Sequence, residues 1–318
     1  MASTPDEVRD GVALTNLDRP LFDGAGVTKR DLVDYLDAVH ERLIPVLRDR
    51  PLSVIRATDR QRPFMQKNVP KYTPDWIETV EIWAEASKRA VRYALCNDRR
   101  TLLWFANQRA VEYHPTLGRA GSLHHATDLI LDLDPPTEGG FAGAVAAAEL
   151  VRRALDEVGL AAAVKTSGAK GVHVFVPVDP DHDPEDVAAA TRAIARRAEL
   201  LDPDVATTAY IKADRGGKVF VDSTRSGGAT VASAYSPRAR PGVPVSFPLE
   251  WDELDDVSPG DFTVLTAVAL MEHRTPWVES LPASQRLPDQ LIAEGHGIPV
   301  ARVAAMQEGK RRKRATEE

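Results

Sequence analysis

Leu129-Ile130-Leu131-Asp132-Leu133-Asp134-Pro135-Pro136 is the stretch on which the fold turns. The run from Leu129 to Asp134 has the length and apolar character of a strand, and the Pro-Pro pair ends it, because proline has no amide to offer a sheet ladder. On a strand, residues i and i+2 face the same side, so Leu133 turns inward while Asp132 and Asp134 emerge together. Two carboxylates side by side repel one another unless a cation offsets them. Hard oxygen donors of this kind favour Mg2+ or Mn2+. A lone Asp-x-Asp is also an ordinary solvated turn, as at Asp202–Asp204, so its meaning depends on what else the chain supplies.

Downstream, strand and helix patterns follow one another. Phe141–Val158 is an Ala-rich amphipathic helix closed by Gly159. Val172–Val178 alternates as a strand, and Pro184–Leu201 is a second Ala-rich helix. Lys218–Ser223 and Thr230–Tyr235 are expected as two strands separated by the Gly227-Gly228 turn. Ser258-Pro259 should start a helix running to about His273, with Ser as N-cap. Upstream, residues 28–49 read as one helix: Thr28 caps it, and Leu32, Leu36, Val39, Leu43 and Val46 recur at helical spacing. Residues 51–75 are rich in Pro and basic groups and read as an exposed loop with short strands. Leu102–Ala106 is expected as a short strand after an Asn97-Asp98 turn. Lys310–Arg314 (KRRKR) reads as a frayed helix end or arm. The expectation is an α+β protein of two lobes without a linker: an N-terminal α/β lobe over 1–126, a catalytic core over 127–290, and a C-terminal helix and basic tail over 291–318.

At 318 residues the chain is about twice the ~150-residue prior for one domain. With 43% apolar and 27% charged residues it has the makings of a substantial core. No apolar run approaches the ~18 residues of a membrane span, and the first residues lack the basic start and apolar stretch of a secretory signal. Cys96, the only cysteine, rules out an internal disulfide and a zinc site built on several thiolates. The reading is a cytoplasmic protein. Net charge is −7, yet Arg42 to Lys71 carries eight Lys/Arg against two Asp. A basic stretch of that density can hold phosphates whatever the overall charge.

Two further motifs join the carboxylates. In Ser167-Gly168-Ala169-Lys170-Gly171-Val172-His173, glycines permit close backbone approach and Ser, Lys and His supply donors suited to phosphate oxygens. It lies between strands, so it is a turn and not a Walker loop, which leads into a helix. Lys218-Val219-Phe220-Val221-Asp222 is an alternating strand that places Asp222 at its end, where it could complete a carboxylate triad or merely cap the next turn.

In this order the motifs resemble the archaeo-eukaryotic primase (primase-polymerase) superfamily, and more narrowly the polymerase domain of bacterial ligase D. The likeness extends to Leu14-Thr15-Asn16-Leu17-Asp18, Gly26-Val27-Thr28-Lys29 and Tyr235-Ser236-Pro237-Arg238. It implies a catalytic core with an RRM-like mixed or antiparallel sheet flanked by helices. It also implies roles: Asp132, Asp134 and Asp222 as ligands of two Mn2+ or Mg2+ ions; Ser167, Lys170, His173 and Arg238 at the triphosphate; His114, in Glu112-Tyr113-His114, near the nucleotide sugar. Phe64 and Lys67 match a loop whose aromatic stacks on the template, a role for which one exposed Phe among cations is suited. Arg19 and Lys29 match basic residues that grip a 5′-phosphate. The chain departs from the family pattern at Arg19, where lysine is usual, at Ser226 and Ala229, and at Arg56-Ala57-Thr58-Asp59.

The implied activity is template-directed nucleotidyl transfer from NTP or dNTP, with ready use of ribonucleotides, filling short gaps or extending ends in DNA repair or end joining. No Lys-x-Asp-Gly of an adenylating ligase occurs, so the expectation is a stand-alone monomeric polymerase at the nucleoid, with no membrane, a separate ATP-dependent DNA ligase and an end-binding protein as partners. The residues alone leave open a metal-dependent nuclease or phosphoesterase, and a non-catalytic DNA-end-binding module.

Overall fold

The structure is a computed structural model that describes residues 5–58, 62–84, 88–136, 140–227 and 230–300. Expectations that fall on Lys310–Arg314, Asp59, Arg60, Gly228 and Ala229 lie outside the described residues.

The N-terminal lobe begins with a hairpin, β1 (Glu7–Arg9) and β2 (Val12–Leu14), followed by helices α1 (Lys29–Ala38) and α2 (His40–Leu47). A five-stranded antiparallel sheet comes next: β3 (Pro51–Arg56), β4 (Phe64–Gln66), β5 (Thr79–Ala84), β6 (Arg89–Leu95) and β7 (Ala110–Pro115), with helix α3 (Arg99–Asn107) between β6 and β7. β3 is its spine, pairing with β4 and β6 and also with β7. The core holds β8 (Asp128–Asp134), α4 (Gly140–Asp156), β9 (Ala163–Thr166), β10 (Val172–Pro177), α5 (Pro184–Leu201), β11 (Ala206–Thr207), β12 (Val219–Asp222) and β13 (Pro248–Leu249). Its six-stranded sheet runs β11-β12-β8-β10-β9-β13, antiparallel except for the parallel β11–β12 pair. The α+β class and the mixed sheet flanked by helices are therefore as the sequence led one to expect.

Short helices α6 (Ala267–Met271), α7 (Trp277–Ser280) and α8 (Asp289–His296) follow among the described residues. α8 packs so closely on α5 that a Cβ on Gly295 would strike the Ala189 backbone. Arg197 binds Glu294 at 2.6 Å in the same interface. The core boundary expected at 290 thus falls inside a helix that belongs to the core.

Several elements differ from the sequence reading. Residues 28–49 form two helices. Thr28 caps α1 in a reciprocal capping box with Asp31, but at Val39 the backbone leaves helical geometry (ψ 7°) and a second helix starts. The expected strand Leu102–Ala106 is the middle of α3. Asn97-Asp98 is a helix start and not a turn, because the Asp98 side chain accepts from the Thr101 amide at 2.7 Å. Leu102 through Ala106 are all buried, so no alternation was available to separate strand from helix. Thr230–Tyr235 is not a strand: Tyr235 is left-handed (φ 64°), and the Ser233 amide bonds to the Tyr113 carbonyl of β7, 3.0 Å away. Ser258-Pro259 opens only a short 3-10 turn, Pro259–Asp261. The chain is then drawn out of helical geometry, because the Phe262 carbonyl accepts from Val245 at 2.7 Å and its ring stacks on Phe247 at 4.1 Å. Within the basic stretch, Pro51–Arg56 is the largely buried spine of a sheet, whereas Phe64–Gln66 is an edge strand facing solvent.

Removing the α3 cap tests the reassigned helix. Asp98→Ala should lower unfolding free energy by about 0.5–2 kcal/mol in urea titrations, with Asp98→Asn recovering most of it.

Candidate active site

Sheet register assembles the site. Asp132 on β8 is paired with Asp222 on β12 and with His173 on β10. His173 is paired in turn with Lys165 on β9. Directly paired residues share a face, so Asp222, Asp132, His173 and Lys165 form one row across four strands, with Asp134 one step further along β8. All four residues of the row are buried, and Leu133 is fully buried on the opposite face.

A row of buried charges survives only if each is offset. Arg225, in the 3-10 turn after β12, places its guanidinium between the two carboxylates, 3.0 Å from Asp132 Oδ2 and 3.3 Å from Asp222 Oδ2. On the other side, Lys165 Nζ lies 2.7 Å from His173 Nδ1 and also donates to the Ala232 carbonyl and Ser246 Oγ. Because the ammonium donates to Nδ1, the proton of a neutral His173 sits on Nε2, which faces Asp132 Oδ1 at 3.2 Å. Burial alone would raise the Asp132 carboxyl, but His173, Arg225 and Lys165 outweigh it and hold it below the usual range. Asp134, exposed at the strand end, moves the other way: partial desolvation and the neighbouring Asp132 charge raise it. Burial, helped by Lys165, lowers His173 to about 4, and burial also pushes the Lys165 ammonium well down.

The Ser167–Gly171 turn joins β9 to β10 beside this row. Ser167 Oγ accepts from the Ala169 and Gly171 amides (3.2 and 3.1 Å) and shapes the turn. Gly168 has φ 67°, and a Cβ there would lie 2.7 Å from Arg238 Cγ. At Gly171 a Cβ would collide with the Leu133 carbonyl of the neighbouring strand. Both glycines are thus required by close approach. Arg238 donates to the Ser167 carbonyl and sits 3.0 Å from Glu112 Oε2. Lys170 and Asp134 line a groove of about 430 Å³ together with Lys212, Arg215, Lys218 and Arg240.

The structure thus brings Asp132, Asp134, Asp222, Ser167, Lys170, His173 and Arg238 together. His114 joins them through Glu112, 2.9 Å from its Nε2, and its buried Nδ1 has no hydrogen-bond partner. His173 has different partners from the triphosphate contact expected of it: both ring nitrogens are already engaged, one on Lys165 and one on Asp132. Ser226, a departure from the family pattern, is buried and accepts from the Ile130 amide at 3.0 Å, a bond internal to the fold.

The DNA-contact candidates lie on the N-terminal lobe. Phe64 is 44% exposed on β4 with Lys67 exposed just beyond it, so Phe64 is not a core residue. Lys29 is 4% exposed, and its Nζ donates to the Thr15 carbonyl and Asn107 Oδ1, both at 2.6 Å. Burial, with the charges of Arg109 and Arg19 nearby, lowers the ammonium to about 8. Lys29, Arg19 and Arg109 therefore form one cationic cluster, of which Arg109 was not picked out from the sequence. Glu112, Lys165 and Arg225 were missed as well. Glu112 alone had a signal, its i+2 spacing from His114.

Oxygen donors on one face fit a hard divalent cation, and the guanidinium between Asp132 and Asp222 marks where positive charge is demanded. Among the described residues no three His, Cys, Asp or Glu side chains are gathered closely enough to hold an ion. Among the described residues no helix is long and apolar enough to cross a membrane.

A family model for the LigD primase-polymerase domain matches residues 28–277. The bifunctional non-homologous end joining protein LigD of Bacillus subtilis is 32% identical over 266 residues, covering 82% of this chain and 42% of that protein. The multifunctional non-homologous end joining DNA repair protein LigD of Mycobacterium tuberculosis is 32% identical over 256 residues, covering 77% of this chain and 34% of that protein. The chain thus spans less than half the length of these curated relatives. Among solved structures, the polymerase domain from Mycobacterium tuberculosis ligase D in complex with DNA superposes with a TM-score of 0.77 at 29% identity, covering 85% of this chain and 97% of that one. Fold, motif order and a family match running through both lobes agree, and the chain belongs to the LigD primase-polymerase family.

Proposed function

We propose that this protein is a template-directed nucleotidyltransferase that extends 3′ ends and fills short gaps during the joining of DNA breaks. The observation that carries the reading is the paired Asp132–Asp222 row with a groove rich in Lys and Arg opening beside Asp134. A phosphodiesterase would use the carboxylates alone, leaving Lys170, Lys212, Arg215, Lys218 and Arg240 around that groove without a ligand.

Asp132, Asp134 and Asp222 are the residues that would hold two divalent ions, Mn2+ or Mg2+. When bound, such ions lower the pKa of an attacking hydroxyl and offset the charge on departing pyrophosphate. The protein's own groups do the rest. The Lys165–His173 pair orients Asp132 and limits its charge. Ser167, Lys170 and Arg238 face the triphosphate and stabilise charge as it develops. His114 faces the sugar of an incoming NTP or dNTP. Phe64, with Lys67, stacks on the template base. The Arg19–Lys29 cluster takes a 5′-phosphate on the downstream strand, since a terminal phosphate carries more charge than an internal diester. Sealing is left to an ATP-dependent DNA ligase acting with it.

Changing Asp132 and Asp134 together to Ala should abolish primer extension while leaving DNA affinity nearly unchanged, because removing acids does not weaken phosphate attraction. Robust extension by the double variant in a gel assay contradicts the proposal.

Phe64→Ala should weaken binding to gapped DNA by about 1–3 kcal/mol, the worth of one base–aromatic stack. Fluorescence anisotropy on templates with an unpaired base measures it.

Lys29 gives a pH dependence. Phosphate is held by the ammonium form, and that form is lost as pH rises through about 8. The preference for a 5′-phosphate over a 5′-hydroxyl gap should therefore be full below pH 7, fade between pH 7 and 9, and be missing at all pH values in Lys29→Ala. A preference that persists unchanged at pH 9.5 contradicts the assignment.

A further inference from the structure

Glu112 is a buried carboxylate without a part in the reaction as described so far. Oε2 lies 2.9 Å from His114 Nε2 and 3.0 Å from Arg238 Nε, the latter an ion pair without hydrogen-bond geometry, while Oε1 accepts from the Ala239 amide at 2.9 Å. Glu112 and His114 stand two residues apart on β7 of the N-terminal lobe, whereas Arg238 and Ala239 come from the core segment that follows Tyr235. One side chain therefore ties together a base-like ring and a cation carried by different lobes. The lobes are stitched at the same point by the Tyr113 amide, which donates to Ser236 Oγ at 2.9 Å.

An ionised carboxylate can only accept hydrogen bonds. Burial would raise the Glu112 carboxyl, but the bond from His114 and the Arg238 charge hold it down to about 2, so it is ionised. His114 Nε2 must then be the protonated nitrogen. Arg238 already neutralises the single carboxylate, and a second proton on the ring would place two cations against one anion. His114 Nδ1 is left as a bare acceptor. It is buried and has no hydrogen-bond partner, and a hydroxyl group is a ligand that could satisfy it.

We propose that Glu112 is a positioning residue that fixes His114 as its Nε2–H tautomer, so that Nδ1 accepts from a sugar hydroxyl of the incoming nucleotide, and that it sets Arg238 in the same step. The inference rests on the nucleotidyltransferase reading above. It assigns sugar discrimination to a hydrogen-bond acceptor: a ribonucleotide supplies one more donor than its deoxyribo counterpart, and an acceptor in a buried site that stays unpaired is penalised.

The experiment compares the wild-type protein with Glu112→Gln. Long-range 1H–15N spectra at neutral pH, with the ring assigned by His114→Gln, read the tautomer without any turnover. Steady-state kinetics with matched ATP and dATP on one gapped template read the sugar ratio. In the wild type the ring should carry its proton on Nε2. In Glu112→Gln the glutamine carbonyl oxygen accepts from the Ala239 amide and its NH2 group is left to face the ring, so the ring should become a mixture of tautomers. The ribo-over-deoxyribo ratio of kcat/KM should fall roughly three- to tenfold, the loss of about one hydrogen bond. Adding Glu112→Gln to His114→Ala should leave the ratio where His114→Ala alone puts it. An unchanged ratio with an unchanged tautomer makes Glu112 a purely structural group and overturns the proposal. So does a wild-type ring protonated on Nδ1, a result that stands even if Glu112→Gln fails to fold. Were the wild type to incorporate no nucleotide at all, the nucleotidyltransferase reading would fall, whereas the spectra would still decide the tautomer.

Discussion

Two aspartates paired across adjacent antiparallel strands, both buried, form an arrangement that electrostatics resists, and much of the structure follows from how that resistance is met. Asp132 and Asp222 face each other because β8 and β12 are in register at that point. Bare, they would repel in a medium that screens poorly. The fold answers with cations on both flanks. Arg225 bridges the two carboxylates from the turn after β12, and Lys165 acts from β9 through the ring of His173. The cations that compensate the row show that these positions attract positive charge.

Shape follows the same row. The turn after β9 lies against β8 so tightly that Gly171 has no room for a side chain, and Gly168 brings Arg238 over the turn. Arg238 is held in turn by Glu112, from a strand of the other lobe. The carboxylates, the Ser167–Gly171 turn and His114 are thereby fixed relative to one another by contacts between strands. Sites held this way can place reacting groups with small error. The cationic cluster around Lys29 lies apart from this frame, at the start of the first helix.

How much of this was legible in the sequence varied with the kind of information each segment carries. Asp132-x-Asp134 and Lys218–Asp222 could be read because a two-residue period puts alternate side chains on one face, and that geometry is local. The helices Gly140–Asp156 and Pro184–Leu201 were legible from apolar periodicity and their boundary residues. Leu102–Ala106 misled because it is buried on every side, which erases the period that separates strand from helix. Thr230–Tyr235 misled because its β-prone residues are used to bridge two lobes, a tertiary demand that overrides propensity. Arg225 and Lys165 had no local signature. Their importance comes from strand register, which pairs residues 132 with 222 and 165 with 173 and is specified by long-range packing. His173 shows the same limit: the motif pointed to a phosphate ligand, while the row gives the ring to Asp132 and Lys165.

We propose that the Asp132–Asp222 row is a divalent-cation site whose carboxylates Arg225 bridges until the ion arrives. Crystals soaked in Mn2+ and measured for anomalous scattering test it most directly. The account predicts anomalous density in contact with Asp132, Asp134 and Asp222, with the Arg225 guanidinium turned away from both partners. Density elsewhere, with Arg225 still bridging Asp132 and Asp222 at saturating Mn2+, would contradict it.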